Sequence, residues 1–384
     1  MAGLRLLMLN YEFPPIGGGG AQAHANLLRE YGQRSDLQVD VLTSAATPGF
    51  TQDTLSSNVT IYRVGLHKKT LHYWRKQEVL EWLFKSTRHY KRLIRQNDYD
   101  VVHAFFGFPS GWLCYRSAET LPYIISLRGS DVPGQNARLQ KDYKILAPIF
   151  KAIWRKADLL VACSHGLKDR ALRFMPDVAV EVIPNGVLTD RFMPKPEPSA
   201  KPSRLISVGR LSETKRLGLL IDMVAELRRR GQAVSLQLVG DGALRDTIKD
   251  HIQRLELASC ITLKGRVESE DMPALYQASD LYVSGSMQEG MSNAMLEAMA
   301  SGLPIVTTSC EGVNELIRDN GVVVDTATAQ AMADSVTAIL NNSHAYLTMS
   351  QAARDNAMTF SWSSVADQYI ASYQAMATQG RPQA

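Results

Sequence analysis

The chain has 384 residues, more than a single hydrophobic core usually organises, and this length favours two domains. Its composition, 45% hydrophobic and 21% charged, is typical of a globular protein and excludes a disordered chain, and a net charge of +4 is too small to indicate nucleic acid binding. The cysteines (Cys114, Cys163, Cys260 and Cys310) have neither C-x-x-C spacing nor a His at ligand spacing, so we expect no disulfide framework or metal site and favour a reducing compartment.

The first half of the chain alternates short apolar segments with helical ones. The opening run at residues 4–9 is too short for a signal peptide or a membrane-spanning helix, and it predicts a buried first strand. The alternation predicts a parallel, doubly wound sheet. The predicted strands are 5–9, 39–43, 59–64, 101–104, 123–126, 159–162 and 181–183, and the helices between them include 22–31 and 144–155.

Four consecutive glycines at positions 17–20 follow the first predicted strand and precede the first helix. Such a run costs backbone entropy, and a close approach of main-chain N–H groups to a phosphate or a sugar would explain it. We therefore take Gly18 and Gly19 as candidate contacts, with a flexible loop that binds nothing as the alternative. The pattern differs from the spaced G-x-G-x-x-G of dinucleotide-binding proteins.

Residues 67–95 form a basic, aromatic segment with nine Lys or Arg against two Glu. Its apolar residues fall near one helical stripe, and a basic amphipathic helix suits an anionic membrane surface. A helix packed on the core with a solvated basic face is an equal alternative. Nucleic acid is not expected, because no recognition motif accompanies the charge.

The next predicted strand begins after Asp98-Tyr99-Asp100 and contains His103. A D-x-D pattern binds metal in some enzymes, but this one stands between a basic helix and a strand, so we interpret it as a helix exit and predict no metal requirement. His103 either positions a substrate or is a hydrogen-bonded core residue, and the sequence leaves both interpretations open.

A proline-rich stretch, residues 194–202, contains four prolines, a density that excludes a helix or a central strand and predicts a linker. The alternation then restarts, and residues 360–373 predict a final helix. The predicted strands of the second half are 204–208, 235–239, 261–264, 281–284, 304–307 and 322–324, and the predicted helices are 217–230, 243–255, 274–278 and 329–341.

Two cations, Arg210 and Lys215, follow the first strand of the second half, just after Gly209. A glycine at a strand end lets the backbone pass close to a ligand, and fixed cations there could stabilise a departing diphosphate. Solvated loop cations are the alternative.

The most informative segment, residues 289–297, places two carboxylates at the ends of a loop and helix. Ser292 or Asn293 would cap a helix over 294–300, whose unpaired N–H groups suit an anion. Eight helical residues span about 12 Å, roughly the distance from a sugar to a ribose across a diphosphate. Glu289 and Glu297 could therefore each hold hydroxyls, which indicates a nucleoside diphosphate sugar. A capped surface helix with two solvated Glu is the alternative.

This segment resembles the E-x7-E signature of the family 4 retaining glycosyltransferases, which have the α/β GT-B fold of two Rossmann-like doubly wound domains facing across a cleft. The resemblance covers nearly the whole chain and is sharper in the second half. It implies an acceptor domain at 1–193 with a helix at 360–384 packing back on it, a linker at 194–202, and a nucleotide-sugar-binding domain at 203–359.

The resemblance also implies residue roles. Glu289 would contact the transferred sugar, Glu297 the ribose, and Arg210 and Lys215 the diphosphate. Together with the two glycines named above, the expected donor contacts are Val267, Gly290, Met291, Ser292, Asn293 and Glu297.

Arg128 stands where many members of the family have a His that contacts the sugar. Arg cannot act as a base at neutral pH but can donate hydrogen bonds to a hydroxyl or a phosphate. Arg128 and His103 are therefore candidate sugar or acceptor contacts.

We expect a retaining, metal-independent glycosyltransferase that uses a UDP-sugar, or else a GDP-sugar, and a glycan or lipid-linked glycan acceptor in polysaccharide or glycoconjugate synthesis. No cofactor is expected. The expected location is cytoplasmic, with residues 67–95 as a candidate contact with the inner membrane face. A non-catalytic nucleotide-sugar-binding subunit, a GT-B epimerase and a glycoside phosphorylase stay open as alternatives.

Overall fold

The computed structural model describes residues 3–71, 73–134, 140–197, 199 and 201–379. The chain divides into two compact units, one formed by Met1–Asn185 with Trp362–Ala384 and the other by Gly186–Ser361. Each unit is built on its own mainly parallel sheet covered by helices, which confirms the predicted fold class. Within the described ranges, no helix has both the length and the apolar character needed to cross a bilayer.

The first unit contains an eight-stranded sheet in the order β3-β4-β2-β1-β5-β6-β7-β8. Its strands are β1 Leu4–Leu9, β2 Leu37–Ala45, β3 Phe50–Ser56, β4 Val59–Gly65, β5 Val101–Phe105, β6 Tyr123–Leu127, β7 Leu159–Ala162 and β8 Val180–Val182. Its helices up to this point of the chain are α1 Gly19–Tyr31, α2 Lys76–Gln96, α3 Ser110–Tyr115, α4 Gln140–Lys156 and α5 His165–Phe174.

The sequence analysis missed β3, which pairs antiparallel with β4 at the edge of the sheet. This strand is mostly exposed and polar, so it has no buried face to produce an alternating pattern. The central strand β1 is the opposite case: Leu6, Leu7, Met8 and Leu9 are all fully buried, as expected when helices cover both faces of a parallel sheet.

The second unit contains a six-stranded parallel sheet in the order β11-β10-β9-β12-β13-β14. Its strands are β9 Arg204–Val208, β10 Ser235–Val239, β11 Ile261–Gly265, β12 Leu281–Ser284, β13 Ile305–Thr308 and β14 Gly321–Val324. Its helices are α6 Leu217–Arg229, α7 Arg245–Arg254, α8 Met272–Gln277, α9 Asn293–Ala300, α10 Val313–Leu316, α11 Ala329–Leu340 and α12 Ser343–Met358.

Both sheets have a point at which the strand order reverses direction. In the first unit it lies between β1 and β5, and in the second between β9 and β12. The loops that leave the carboxyl ends of two such strands diverge to opposite faces and open a crevice between them, where doubly wound sheets bind ligands. The glycine run follows β1, and the loops with the two cations and with Glu289 follow β9 and β12.

The described residues of the predicted linker (194–197, 199, 201 and 202) belong to the second unit, which begins at Gly186. Arg354 holds the preceding turn by donating to the carbonyl oxygens of Thr189 and Phe192 at 3.1 and 2.8 Å. Lys195 forms an ion pair with the buried Asp280 at 2.5 Å. The prolines exclude regular structure here, but these contacts fix the chain in place.

Asp280 is a structural carboxylate at the entry to β12. It accepts hydrogen bonds from Lys195, Ser199 and Arg204 and from the backbone N–H of Ser203. Burial disfavours its charge, but these donors outweigh burial and hold the pKa of Asp280 well below its usual range.

Replacement of Asp280 should therefore destabilise the second unit. Because Asp280→Ala leaves Lys195 and Arg204 without their carboxylate, we expect it to lower the free energy of unfolding by about 3 kcal/mol in urea titrations. Asp334→Ala is the matched control, because Asp334 pairs with Arg230 in solvent, with 67% of its side chain exposed, and should cost less than about 1 kcal/mol. Equal losses in the two variants would contradict this assignment.

The chain ends in α13, Trp362–Gln379, which belongs to the first unit. Residues 380–384 of the predicted segment lie outside the described residues. Two tyrosines of α13 enter a buried chain of hydrogen bonds: Tyr373 bonds Tyr31 at 3.0 Å and His103 at 2.6 Å, and Tyr369 bonds Ser126 at 2.8 Å. These contacts join the last helix to α1, β5 and β6.

Candidate donor-binding site

The loops after β9 and β12 run in contact along the carboxyl edge of the second sheet. The backbone N–H of Met287 donates to the carbonyl oxygen of Thr214 at 2.8 Å. The turn after β10 lies against the same place, since a Cβ on Gly240, whose φ is +132°, would collide with the carbonyl oxygen of Gly209. A side chain at this position would push the loops apart, which explains the glycine.

Lys215 and Glu289 meet at this edge as an ion pair. Ser286 also donates its hydroxyl to Oε1 of Glu289 at 3.1 Å. The two charged side chains are only 21% and 15% exposed, so their interaction is weakly screened by solvent. An incoming diphosphate would compete with Glu289 for Lys215 and would release the carboxylate to accept hydrogen bonds from sugar hydroxyls.

Helix α9 begins where the sequence predicts. The Ser292 hydroxyl caps it by accepting from the backbone N–H of Met295 at 3.3 Å. The early N–H groups of an α-helix have no intrahelical partners and carry partial positive charge, so this end suits a phosphate. Gly290 and Met291 precede the cap, and Asn293 is the first helical residue.

Glu297 lies on α9, eight positions after Glu289. Its Oε2 accepts a hydrogen bond from the hydroxyl of Tyr276 at 2.9 Å. Burial raises the pKa of Glu297 to about 7, against the lowering effects of Tyr276 and Arg191. Glu297 as a whole residue is half-buried.

Arg210 and Val267 are at the same edge of the sheet but apart from this cluster. Arg210 is exposed, and its side chain makes no ion pair within the described residues. Val267 is half-buried and follows β11, which is two strands away from β9. Arg210 therefore offers an available cation, whereas Lys215 is already paired.

In the first unit, the glycine run joins the loops that follow β1 and β5. Gly18 caps α1 and Gly19 is its first residue. A Cβ on Gly20 would lie 2.8 Å from the ring of Phe106, which follows β5, so the tight packing of these loops requires a glycine. The start of a 13-residue helix thus lies at the reversal point of this sheet.

The surroundings of His103 favour the interpretation as a hydrogen-bonded core residue. His103 is fully buried, and its two ring nitrogens bond Tyr373 and Ser126 at 2.6 and 2.7 Å. Burial lowers its pKa, so it is neutral. Both ring nitrogens of His103 are thus engaged within the first unit, which favours a core role over the predicted sugar or acceptor contact.

Arg128 lies at the carboxyl end of β6 and is half-buried. Its guanidinium carbon is 4.6 Å from the centroid of the Phe105 ring, and Nη1 donates to Asn185 at 3.1 Å. Its buried Nε has no hydrogen-bond partner within the described part of the chain. Arg128 can therefore donate a hydrogen bond to a ligand from the carboxyl edge of the first sheet.

Sequence reasoning missed four residues that shape these sites: Tyr276, Ser286, Arg216 and His24. Tyr276 and Ser286 donate hydrogen bonds to Glu297 and Glu289, and Arg216 donates one to the carbonyl oxygen of Gly285 in the loop after β12. His24 is buried on α1 and stacked on Phe105 at 4.3 Å, and burial lowers its pKa to about 3. The sequence contains a signal for two of these residues: Arg216 directly follows Lys215, and Ser286 is three positions before Glu289.

No metal centre is apparent in the described residues, because nowhere in them do three or more His, Cys, Asp or Glu side chains form a group that could hold an ion.

Two family models match consecutive parts of the chain. Glycosyltransferase Family 4 matches residues 18–191, and Glycosyl transferases group 1 matches residues 189–356. A similar structure is sucrose-phosphate synthase from Thermosynechococcus elongatus, with a TM-score of 0.82 and 21% identity over 98% of this chain and 100% of that one. Another is Anabaena HepE in complex with UDP and glucose, with a TM-score of 0.73 and 18% identity over 97% of this chain and 100% of that one.

These similarities define the fold as that of the GT-B glycosyltransferases. A GDP-mannose-dependent alpha-(1-6)-phosphatidylinositol monomannoside mannosyltransferase of Mycobacterium tuberculosis is 25% identical over 91% of this chain and 93% of that relative. The chain belongs to the group 1, family 4 glycosyltransferases, as its E-x7-E segment implies.

The raised pKa of Glu297 gives a pH-dependent stability. Its folded-state value of about 7 exceeds the ordinary 4.5, so its stabilising contribution is complete below about pH 4.5 and is lost as the pH rises through 7. We expect Glu297→Gln, which stays neutral, to be more stable than the wild type at pH 8 by on the order of 1–3 kcal/mol, with a smaller gain at pH 5.

Thermal unfolding at the two pH values would measure this difference. The exposed Glu256→Gln is the control and should give the same small effect at both pH values. A gain for Glu297→Gln that does not change with pH would contradict the assignment.

Proposed function

We propose that this glycosyltransferase is a retaining, metal-independent enzyme that transfers a sugar from a nucleoside diphosphate sugar to a hydroxyl of a glycan or lipid-linked glycan. The observation that carries the proposal is the meeting of Lys215, Glu289 and the start of α9 at the reversal point of the second sheet. A cation, a hydroxyl-binding carboxylate and the positive end of a helix dipole are three features that suit a sugar diphosphate.

In the proposed reaction, the bond between the anomeric carbon and the diphosphate oxygen breaks while the acceptor oxygen bonds to the same face of that carbon. The proton of the acceptor hydroxyl passes to the departing diphosphate, so no protein base is needed. Lys215 and Arg210 stabilise the charge that develops on the diphosphate. Glu289 and the N–H groups around residues 290–293 hold the sugar and phosphate, and Glu297 holds the ribose.

UDP is the favoured nucleotide of the donor, in keeping with the HepE structure, which contains UDP and glucose. The GDP-mannose-dependent relative keeps a GDP-sugar as the second choice. Melting temperatures measured with UDP, GDP and ADP and their sugars would rank them, because a ligand that binds only the folded state raises the melting temperature.

Removing either charge of the central pair should abolish transfer. We expect Glu289→Gln and Lys215→Ala each to lower kcat/KM at least 100-fold, about 2.7 kcal/mol of transition-state stabilisation. The assay measures release of the nucleoside diphosphate and transfer of labelled sugar, with and without EDTA, which should have no effect.

Glu256→Gln and Lys249→Ala are matched controls on exposed positions of the same unit. Near wild-type transfer by both site variants would place the site elsewhere. Phosphate-dependent release of sugar phosphate would instead indicate a phosphorylase, epimerised donor an epimerase, and donor binding without turnover a binding subunit.

A second part of the proposal is that α2 docks on an anionic membrane surface. Its exposed positions form one stripe at helical spacing: Leu80 and Phe84, 62% and 85% exposed, are followed by Arg88, Lys91 and Arg95. Large apolar side chains that are this exposed, next to a row of cations, suit the boundary between lipid headgroups and acyl chains.

The acidic residues of α2 leave this stripe free of negative charge. Glu78 is buried and bonds Lys68 at 2.9 Å, and Glu81 bonds Lys85 and His67 at 2.7 Å on other faces of the helix. Within the described ranges, none of the three stripe cations has a carboxylate partner. A membrane contact would bring the enzyme to a lipid-linked acceptor.

Vesicle sedimentation tests the α2 stripe. We expect the protein to bind vesicles of phosphatidylglycerol and phosphatidylcholine at low salt, and the triple change Arg88→Gln, Lys91→Gln, Arg95→Gln to weaken binding about 100-fold, at roughly 1 kcal/mol per cation. Phe84→Ser should also weaken it, because it removes the exposed ring that would insert between the lipids. The triple change Arg228→Gln, Arg229→Gln, Lys249→Gln in the second unit is the control, and an equal loss there, or no wild-type binding, would refute docking by α2.

A further inference from the structure

Arg216 has a backbone conformation that its residue type disfavours. It follows Lys215 directly and precedes α6, and its φ of +43° lies in the left-handed region. A side chain with a Cβ carries a steric cost there that glycine avoids, and such outliers persist where the surrounding structure holds them and concentrate at functional sites. We therefore expect the side chain of Arg216 to make contacts that hold this conformation.

The guanidinium of Arg216 joins three segments of the second unit. Its Nε donates to the carbonyl oxygen of Gly285 at 2.7 Å, and Nη2 donates to the hydroxyl of Thr308 at 2.9 Å. The Thr308 hydroxyl in turn donates to the carbonyl oxygen of Ser286 at 3.0 Å. Arg216 thus links the loop after β9 to the loop after β12 and to the end of β13.

These contacts lead directly to the proposed catalytic pair. Ser286, whose carbonyl is held through Thr308, donates its hydroxyl to Glu289. Arg216 also follows Lys215 directly in the chain. The left-handed backbone of Arg216 therefore sets the direction in which the chain continues from Lys215. Arg216 therefore constrains Glu289 through its side chain and Lys215 through its backbone, and its guanidinium bonds neither charged group directly.

We propose that Arg216 is a positioning residue that fixes Lys215 and Glu289 for transfer by holding the loops after β9 and β12 in register. This inference rests on the proposed function, because it assigns Arg216 a role in the same reaction. A fixed guanidinium that bonds two different loops keeps the charged groups in the geometry that the transition state requires. In this left-handed conformation the guanidinium reaches Gly285 and Thr308, and these bonds help to offset the steric cost of the backbone.

The decisive variant is Arg216→Gly, which suits the left-handed backbone but removes the guanidinium. We expect kcat to fall at least tenfold, the KM for the donor to change less than threefold, and the melting temperature of the ligand-free protein to stay within about 2 °C. The donor KM is spared because the start of α9 and Glu297 still bind the nucleotide. Arg216→Lys, which can reach one of the two acceptors, should recover part of the lost kcat.

Thr308→Val provides an independent route to the same conclusion. It removes the hydroxyl that Arg216 and Ser286 share while keeping the side-chain shape, so we expect an intermediate fall in kcat. Arg216→Gly combined with Thr308→Val should lose no more than Arg216→Gly alone, because both changes break the same connection. Glu256→Gly is the matched control: Glu256 also has a positive φ, +56°, but lies on an exposed turn, so kcat should not change.

The inference is overturned if Arg216→Gly keeps kcat within twofold of the wild type, or if the losses of the two single variants simply multiply in the double variant. Should Arg216→Gly fail to fold, Arg216→Lys and Thr308→Val decide: reduced kcat at unchanged melting temperature supports the role, and unchanged kcat refutes it. Failure of the proposed function looks different, because then neither the wild type nor the Glu256→Gly control transfers sugar, whereas failure of this inference alone leaves Glu289→Gln inactive and the Arg216 variants active.

Discussion

Two loops separated by 74 residues in the sequence are held together by opposite charges at the edge of one sheet. The reversal of strand order between β9 and β12 makes this possible, because it places the carboxyl ends of those strands side by side. Lys215 and Glu289 neutralise each other there in a partly buried environment, where neither charge would be stable alone. A ligand that supplies both an anion and hydroxyl groups can replace each partner, and the proposed donor site rests on this property.

In the first unit, several buried neutral polar groups form hydrogen bonds with one another. Its central strands carry His103 and Ser126, which would be costly to bury alone, but a continuous series of hydroxyl and imidazole groups satisfies them internally. Because the nitrogens of His103 and the hydroxyl of Ser126 are bonded within the unit, they are not available for hydrogen bonds with a ligand. Among the described residues of this unit, the candidate ligand contacts are the glycine loop at the start of α1 and Arg128, whose buried Nε has no hydrogen-bond partner there. Both belong to loops rather than to the sheet.

The sequence was sufficient for the parts that depend on local pattern. Central strands appear as apolar runs because both faces are covered, and the start of α9 was predictable because Ser292 is a strong cap. The polar edge strand β3 had no such signal. The role of His103 depends on Tyr373, 270 residues away, and the raised pKa of Glu297 depends on how deeply α9 is packed. No spacing rule contains that information. The left-handed conformation of Arg216 could not be predicted either, because the contacts that stabilise it come from residues distant in the sequence.

The return of α13 to the first unit has a consequence for the order of folding during synthesis. Tyr369 and Tyr373 are buried members of that unit, yet the ribosome adds them only after all of residues 186–361. A growing chain therefore emerges with the hydroxyl of Tyr31 and the ring of His103 uncovered, and the second unit can complete its own core first. The first unit therefore completes its buried hydrogen-bond network only when synthesis has reached α13.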